Sequence, residues 1–278
     1  MTATALRLGA VMAAISSSLV LTSCSTDTGA QPGTPAFDWN AAKQTAAAGD
    51  YPKTLDNLER IASGTNEYTA KARPWLLVLT AGMARANTEM ADRFEAGARA
   101  NKSDSSFRRN MNTYRGQASS LSLRFAEAFA AFQKTTDDTI PLAFGYPSGS
   151  ANPPLVMTRI ATGIMPPIGD IEVAHKQNTD RDILLTTCAA AGANDDPAKT
   201  QEIMKAPDPK VPRAGFVVAM ASVLFDQAQL YSRQKLDDPE KMKLFCARAQ
   251  EALKTVPESK ATKDLNAKIE KTLKASKS

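Results

Sequence analysis

Apolar residues recur every three to four positions in almost every segment of this chain, and no segment alternates apolar and polar residues as a half-buried strand would. Leu55, Leu58 and Ile61 form one such stripe, so residues 52–62 are expected to be a helix, paired with an earlier one at 37–48. Between them, Gly49 suits the left-handed residue that ends a helix, and Asp50 suits the cap of the next. A longer hairpin is expected over 74–133. Pro74 fits the first turn of its first arm, and Leu76, Leu79, Met83, Ala86, Met90 and Phe94 mark the buried side. In the second arm Phe107, Met111, Tyr114, Ala118, Leu121, Phe125, Ala128 and Phe132 fall at alternating spacings of four and three, the 3.5-residue seam of packed antiparallel helices. At 1.5 Å per residue each arm is roughly 40 Å long.

Residues 139–169 break this regularity. They contain Pro141, Pro147, Pro153, Pro154, Pro166 and Pro167 but a single charge, Arg159. Residues 155–165 read as a short apolar helix opened by Pro153-Pro154 and closed by Pro166-Pro167, too short to span a bilayer. Leu155, Val156, Ile160, Ile164 and Met165 are therefore either buried under the long hairpin or presented to a ligand or partner. The final third, 180–275, returns to short hairpins. Asp195-Asp196-Pro197 and Asp237-Asp238-Pro239 recur 42 positions apart, each with Asp as N-cap and Pro as first helical residue, and Ile203 and Phe245 then fall at matching positions. The helix at 260–275 closes the array. The apolar run at 215–225 is read as a core helix, being too short for a membrane span. The expected fold is all-α: antiparallel helical hairpins in a solenoid-like array around one long central hairpin.

Composition agrees with that class. Alanine, the strongest helix former, occurs 47 times among 278 residues, against 14 glycines. Residues 67–134 hold 11 Lys+Arg and 6 Asp+Glu, read as a solvated helix face of mixed charge rather than a surface for anionic head groups. The N-terminus is set apart. Arg7 is the only charge in residues 1–23, an apolar stretch follows it, and small residues lead to Cys24, the layout of an export signal. Residues 24–36, rich in Gly, Pro, Ser and Thr, read as a flexible tether, spanning on the order of 20 Å. Without the signal the chain carries 33 Lys+Arg and 29 Asp+Glu, too mild and dispersed an excess for a nucleic-acid partner. Cys188 and Cys246 remain beside Cys24, and an oxidising compartment leaves two readings open for them: one disulfide, or two buried thiols.

Two resemblances add to this. Leu21-Thr22-Ser23-Cys24 resembles the lipobox of bacterial lipoproteins, which implies cleavage before Cys24 and lipid on its thiol and new amino group. By the same analogy Ser25, in place of a retaining Asp, implies the outer membrane over the inner, facing the periplasm. Gly49-Asp50-Tyr51, followed by a small residue at Thr54 and by Leu55 and Leu58, resembles the inter-helix turn of a tetratricopeptide (TPR) repeat. Together the two resemble the TPR lipoproteins of outer-membrane assembly.

Chemistry is thinly represented. Phosphate-loop, dinucleotide-loop, zinc-protease and nucleophile-elbow signatures are absent from the sequence, and His175 is the only histidine. It reads as a surface or capping residue near a helix end. The Asp pairs precede helices, where capping accounts for them. No catalytic residue, cofactor or metal ligand is expected. The expected function is a non-catalytic, lipid-anchored scaffold or assembly factor for envelope proteins, held to the membrane through Cys24. The alternative is an accessory lipoprotein that binds a solute or lipid for an uptake system. A closed cavity under 155–165 would point to the solute reading, an open groove lined by the short hairpins to the scaffold. The sequence leaves the oligomeric state open.

Overall fold

Ten α-helices and one two-stranded ribbon make up the regular structure of the described residues, and the fold is all-α. The structure, a computed structural model, describes residues 30–143, 145 and 150–275. The expected export signal, Cys24 and the expected tether as far as residue 29 lie outside the described residues. The body, Gln31–Ser278, separates from Met1–Ala30 as its own unit.

Capping explains where the first elements begin. Helix α1 (Pro35–Ala47) starts two residues before Phe37, because the Thr34 hydroxyl accepts the Phe37 amide and Pro35 fills the first turn. Gly49 turns the chain at φ +73°, and Asp50 caps α2 (Tyr51–Ala62) by accepting the Lys53 amide at 3.3 Å. Thr54, at the small TPR-like position, is fully buried and donates to the Asp50 carbonyl at 2.9 Å. Helix α3 (Thr69–Ala100) begins five residues ahead of Pro74. The turn before it is closed locally, with the Asn66 amide on the Thr69 hydroxyl and the Tyr68 amide on the Asn66 side chain. Pro74 thus lies inside the helix, where it forgoes the ladder bond that an N–H at this position would make to the Ala70 carbonyl. A five-residue turn leads to α4 (Ser106–Phe132).

The long hairpin does not sit in a row of repeats. Every residue of α3 from Trp75 to Gly82 is buried, so this helix is covered on all sides. It packs most heavily on α4 and on α6 (Ile168–Ala190), and also on α2, on α5 (Leu155–Ala161) and on α8 (Arg213–Ala228). In a solenoid each repeat touches only its neighbours. Here helices distant in sequence converge on one hub, and the stacked array expected beyond the first hairpin is not seen. Two glycines permit the convergence. A Cβ on Gly82 would stand 2.6 Å from the Ile183 Cα, and one on Gly97 would stand 2.4 Å from the Ile160 carbonyl oxygen.

Other boundaries also differ from expectation. Helix α5 stops at Ala161 rather than 165, because Gly163 takes φ +84° and the Arg159 carbonyl accepts both the Thr162 and Ile164 amides. The insert contributes strand β1 (Thr139–Pro141), paired antiparallel with β2 (Lys210–Pro212) so that Ile140 faces Val211. Three residues are too few to show alternation. Helix α6 is a single 23-residue element that takes in the last two residues of the insert. The matched Asp-Asp-Pro signals both cap helices: Asp196 accepts from Ala198 and Lys199 at α7 (Pro197–Met204), and Asp238 from Lys241 at α9 (Pro239–Lys254). The helices they start have 8 and 16 residues, so equal caps open unequal units. Among the described residues, Arg213–Tyr231 is long and apolar enough to cross a membrane, yet 56% of it is buried inside the protein. Helix α10 (Lys260–Ala275) closes on α9 and α8 through Leu265 and Ile269.

Cys188 and Cys246 are separate, fully buried free thiols, on α6 and α9, so the bridge that the sequence left open is not formed. Burial raises both thiols, Cys246 to about 11, and each packs as a small apolar residue. The basic residues of the long hairpin are partly structural. Arg115 is 8% exposed, bonded to Glu95 at 3.0 Å and to the Lys235 carbonyl at 3.3 Å, and Arg124 reaches back to Glu59 at 2.8 Å.

Candidate functional site

The apolar insert divides between core and surface. Met157 and Ile160 are buried with Met90, Phe94, Phe107 and Ile171, and Val156 and Met165 pack on that cluster, so the space beneath α5 is filled by side chains. Leu155 and Ile164 point outward, 86% and 51% exposed, near Ile168 at 68%. The five expected residues therefore do not line one cavity. They cap the far end of the long hairpin, with part of the cap left apolar on its outer side.

An open concavity lies elsewhere. A groove of about 600 Å³ opens between the α1–α2 hairpin, α3, α6 and the chain just after β1. Its wall comprises Ala46, Ala47 and Tyr51 from the hairpin, Trp75 and Leu79 from α3, and Ile183 from α6. Leu142 and Ala143 close one end and Met204, Pro207 and Pro209 another, while Lys43 stands exposed at the rim. The side chains are held firmly. Trp75 meets Trp39 edge-on at 5.5 Å, and Trp39 stacks on Tyr68 at 5.7 Å. The Tyr51 hydroxyl donates to Asp180 at 2.6 Å, and Lys176 binds the other oxygen of the same carboxylate at 2.9 Å. Burial, with Asp180 beside it, pushes the Tyr51 hydroxyl far above its usual range, so it stays a neutral donor. An apolar wall with one polar edge can accept an apolar side-chain cluster.

A second concavity, of about 320 Å³, is polar and lies between α3, α6 and α8. Arg181 spans much of its wall, bonded to Glu89, to Asn178 at 3.2 Å and to Asp182 at 3.4 Å. Lys235 holds Asp92 through both carboxylate oxygens at 2.7 and 2.9 Å. Asp182 is 2% exposed. Burial lifts its carboxyl to about 6 against the opposing charges of Arg85 and Arg181, while Glu89 adds to the rise.

His175 differs from its sequence reading. It sits in the interior of α6 rather than near an end, half-buried, edge-on to Tyr114 at 5.1 Å, and burial lowers its pKa. Its Nε2 and the Oδ1 of Asn87 are both buried without a partner, and both residues line a small pocket of about 190 Å³.

Sequence reasoning missed the apolar groove and the polar cleft. Each is assembled from at least three helices, and spacing within one helix cannot show which faces meet. One signal was present: Asn178, Asp182, Thr186 and Gln227 are polar residues on buried helix faces. Among the described residues no group of three or more His, Cys, Asp or Glu side chains gathers as a metal site. Compared with known protein families, curated proteins and solved structures, the chain matches none.

Proposed function

We propose that the chain is a non-catalytic, lipid-anchored protein of the bacterial cell envelope that holds a partner protein in the groove between the α1–α2 hairpin, α3 and α6. One observation carries this reading. An open, mostly apolar groove of about 600 Å³ has the short hairpin in its wall, while the space beneath α5 is packed solid. Such a groove suits the apolar face of a helix or an extended peptide, whose buried aromatic neighbours supply anchoring surface. Lipid on Cys24 gives the chain its place on the membrane, in the resemblance of residues 21–24 to a lipobox.

Site-specific photocrosslinking in intact cells tests the groove. A crosslinker placed at Lys43 or Ala47 is expected to capture one protein of defined mass, and one at exposed Lys260 on α10 is expected not to. A lipid or small-molecule adduct, or an identical pattern at all three positions, overturns the reading. The anchor is tested separately: Cys24→Ala is expected to move the protein from the membrane fraction to the soluble one.

A further inference from the structure

The polar cleft between α3, α6 and α8 contains groups that the fold does not use. Most of its charges are committed: Arg181 to Glu89 and Asp182, and Lys235 to Asp92. Three side chains are not. The Arg85 guanidinium makes no hydrogen bond or ion pair among the described residues, and neither does the Asp226 carboxylate. Gln227 is 3% exposed, and both its Oε1 and its Nε2 are buried without a partner. A buried carboxamide with neither atom bonded costs about 1–3 kcal/mol, which a hydrogen-bonding partner entering the cleft would offset. Arg85 is near enough for its charge to act on both Asp182 and Asp226, and Lys268 acts on Asp226 as well.

We propose that this cleft binds a small zwitterion of the α-amino acid class. Its carboxylate lies on the Arg85 guanidinium, its ammonium on Asp226, and one polar group on the Gln227 carboxamide. Each uncommitted group then receives its chemical complement: a planar donor fork meets a carboxylate, a carboxylate meets an ammonium, and the amide gains the partner it lacks. Committed Arg181 and Lys235 keep the remaining acidic residues from competing for the ammonium. A volume of about 320 Å³ is at the small end of ligand sites and admits one amino acid with a side chain of moderate size. The site is separate from the apolar groove and does not rest on the function proposed for it.

Thermal unfolding and titration calorimetry of the intact protein with L-alanine, L-serine, L-leucine, L-glutamine and L-lysine at millimolar concentration test the proposal. At least one is expected to raise Tm in proportion to the logarithm of its concentration and to give saturable heat. The amide and the N-acetyl derivative of that amino acid, lacking the carboxylate charge and the ammonium respectively, are expected to bind at least about tenfold more weakly. Arg85→Gln and Asp226→Asn should each show the same loss with the parent ligand. Gln227→Met keeps the volume and removes the amide, so it is expected to abolish binding while raising the Tm of the empty protein. Asp226 lies at the exposed rim, so its variant remains a fair test should Arg85→Gln fail to fold. Absence of any shift or heat across the five amino acids overturns the proposal. So does equal binding of the two derivatives, or unchanged affinity in Asp226→Asn.

Discussion

The two ends of α3 meet very different surroundings. Its first half lies in the large core with Phe125, Phe129, Phe216 and Phe245, covered by α2, α4, α6 and α8. Its second half meets only a small cluster, in which Phe94, Phe107, Met157 and Ile160 are the main members and the seven-residue α5 is the outer cover. The first end has long helices on every side. The second shares α4 and α6 with the first but is closed on its outer side by one short helix held at a glycine notch, with Leu155 and Ile164 left facing solvent. The difference shows that a helix long enough to serve two cores need not share its stability evenly, since local opening follows local burial.

Substitutions at matched positions sharpen this contrast. Phe216→Ala in the large core is expected to cost about 3–5 kcal/mol in urea unfolding, lowering the whole transition. Met157→Ala in the small one should cost about 2–3 kcal/mol, and hydrogen exchange should rise in α5 before it rises in α8. Equal exchange in the two helices would mean that the ends unfold as one unit. Gly82→Ala is expected to destabilise by roughly 1–3 kcal/mol despite the better helix propensity of alanine, because its Cβ meets the Ile183 backbone. An increase in stability there would contradict the close crossing of α3 and α6.

The Asp182 carboxyl offers a test between the two ends. Its folded pKa of about 6 lies above the unfolded value of about 3.9, so the folded state holds more protons between these pH values. Stability from this group is complete below about pH 4 and is lost as pH rises through about 6, by about 3 kcal/mol in all. Asp182→Asn should flatten that slope, measured by urea midpoints across pH 4–7. The smallest effect is expected at the outer rim, where Leu155→Ser should change stability by no more than about 0.5 kcal/mol.

Much of this architecture is legible in the amino-acid pattern. The stripe Leu55, Leu58, Ile61 and the seam from Phe107 to Phe132 each mark a helix, because one face of each meets the core and the other meets water. The caps Asp50, Asp196 and Asp238 also stand where local chemistry places them. Helix α6 was only half visible. Its buried side carries Asn178, Thr179, Asp182, Thr186 and Thr187, whose hydroxyls and amides are satisfied largely within the helix or by α3, so polarity hides the period. The candidate sites were less legible still. Arg85 and the pair Asp226–Gln227 are far apart in sequence and meet only because α8 lies against α3. Within α8, Asp226 and Gln227 interrupt an apolar run, and with the polar residues of α6 they were the local trace of a cleft.

The hub also orders events in time. Helices α3 and α4 are joined by five residues, so their contact closes early and at small entropic cost. The face of α3 that carries Gly82 must wait for α6, which begins at Ile168, and its next neighbour for α8, which begins at Arg213. Until α6 and α8 dock, a chain folded as far as α4 therefore leaves half-covered a band around Leu77 and Ala81 that the finished protein hides completely. For that interval the surface is open to aggregation, and what the finished fold buries most deeply is what its precursor covers last.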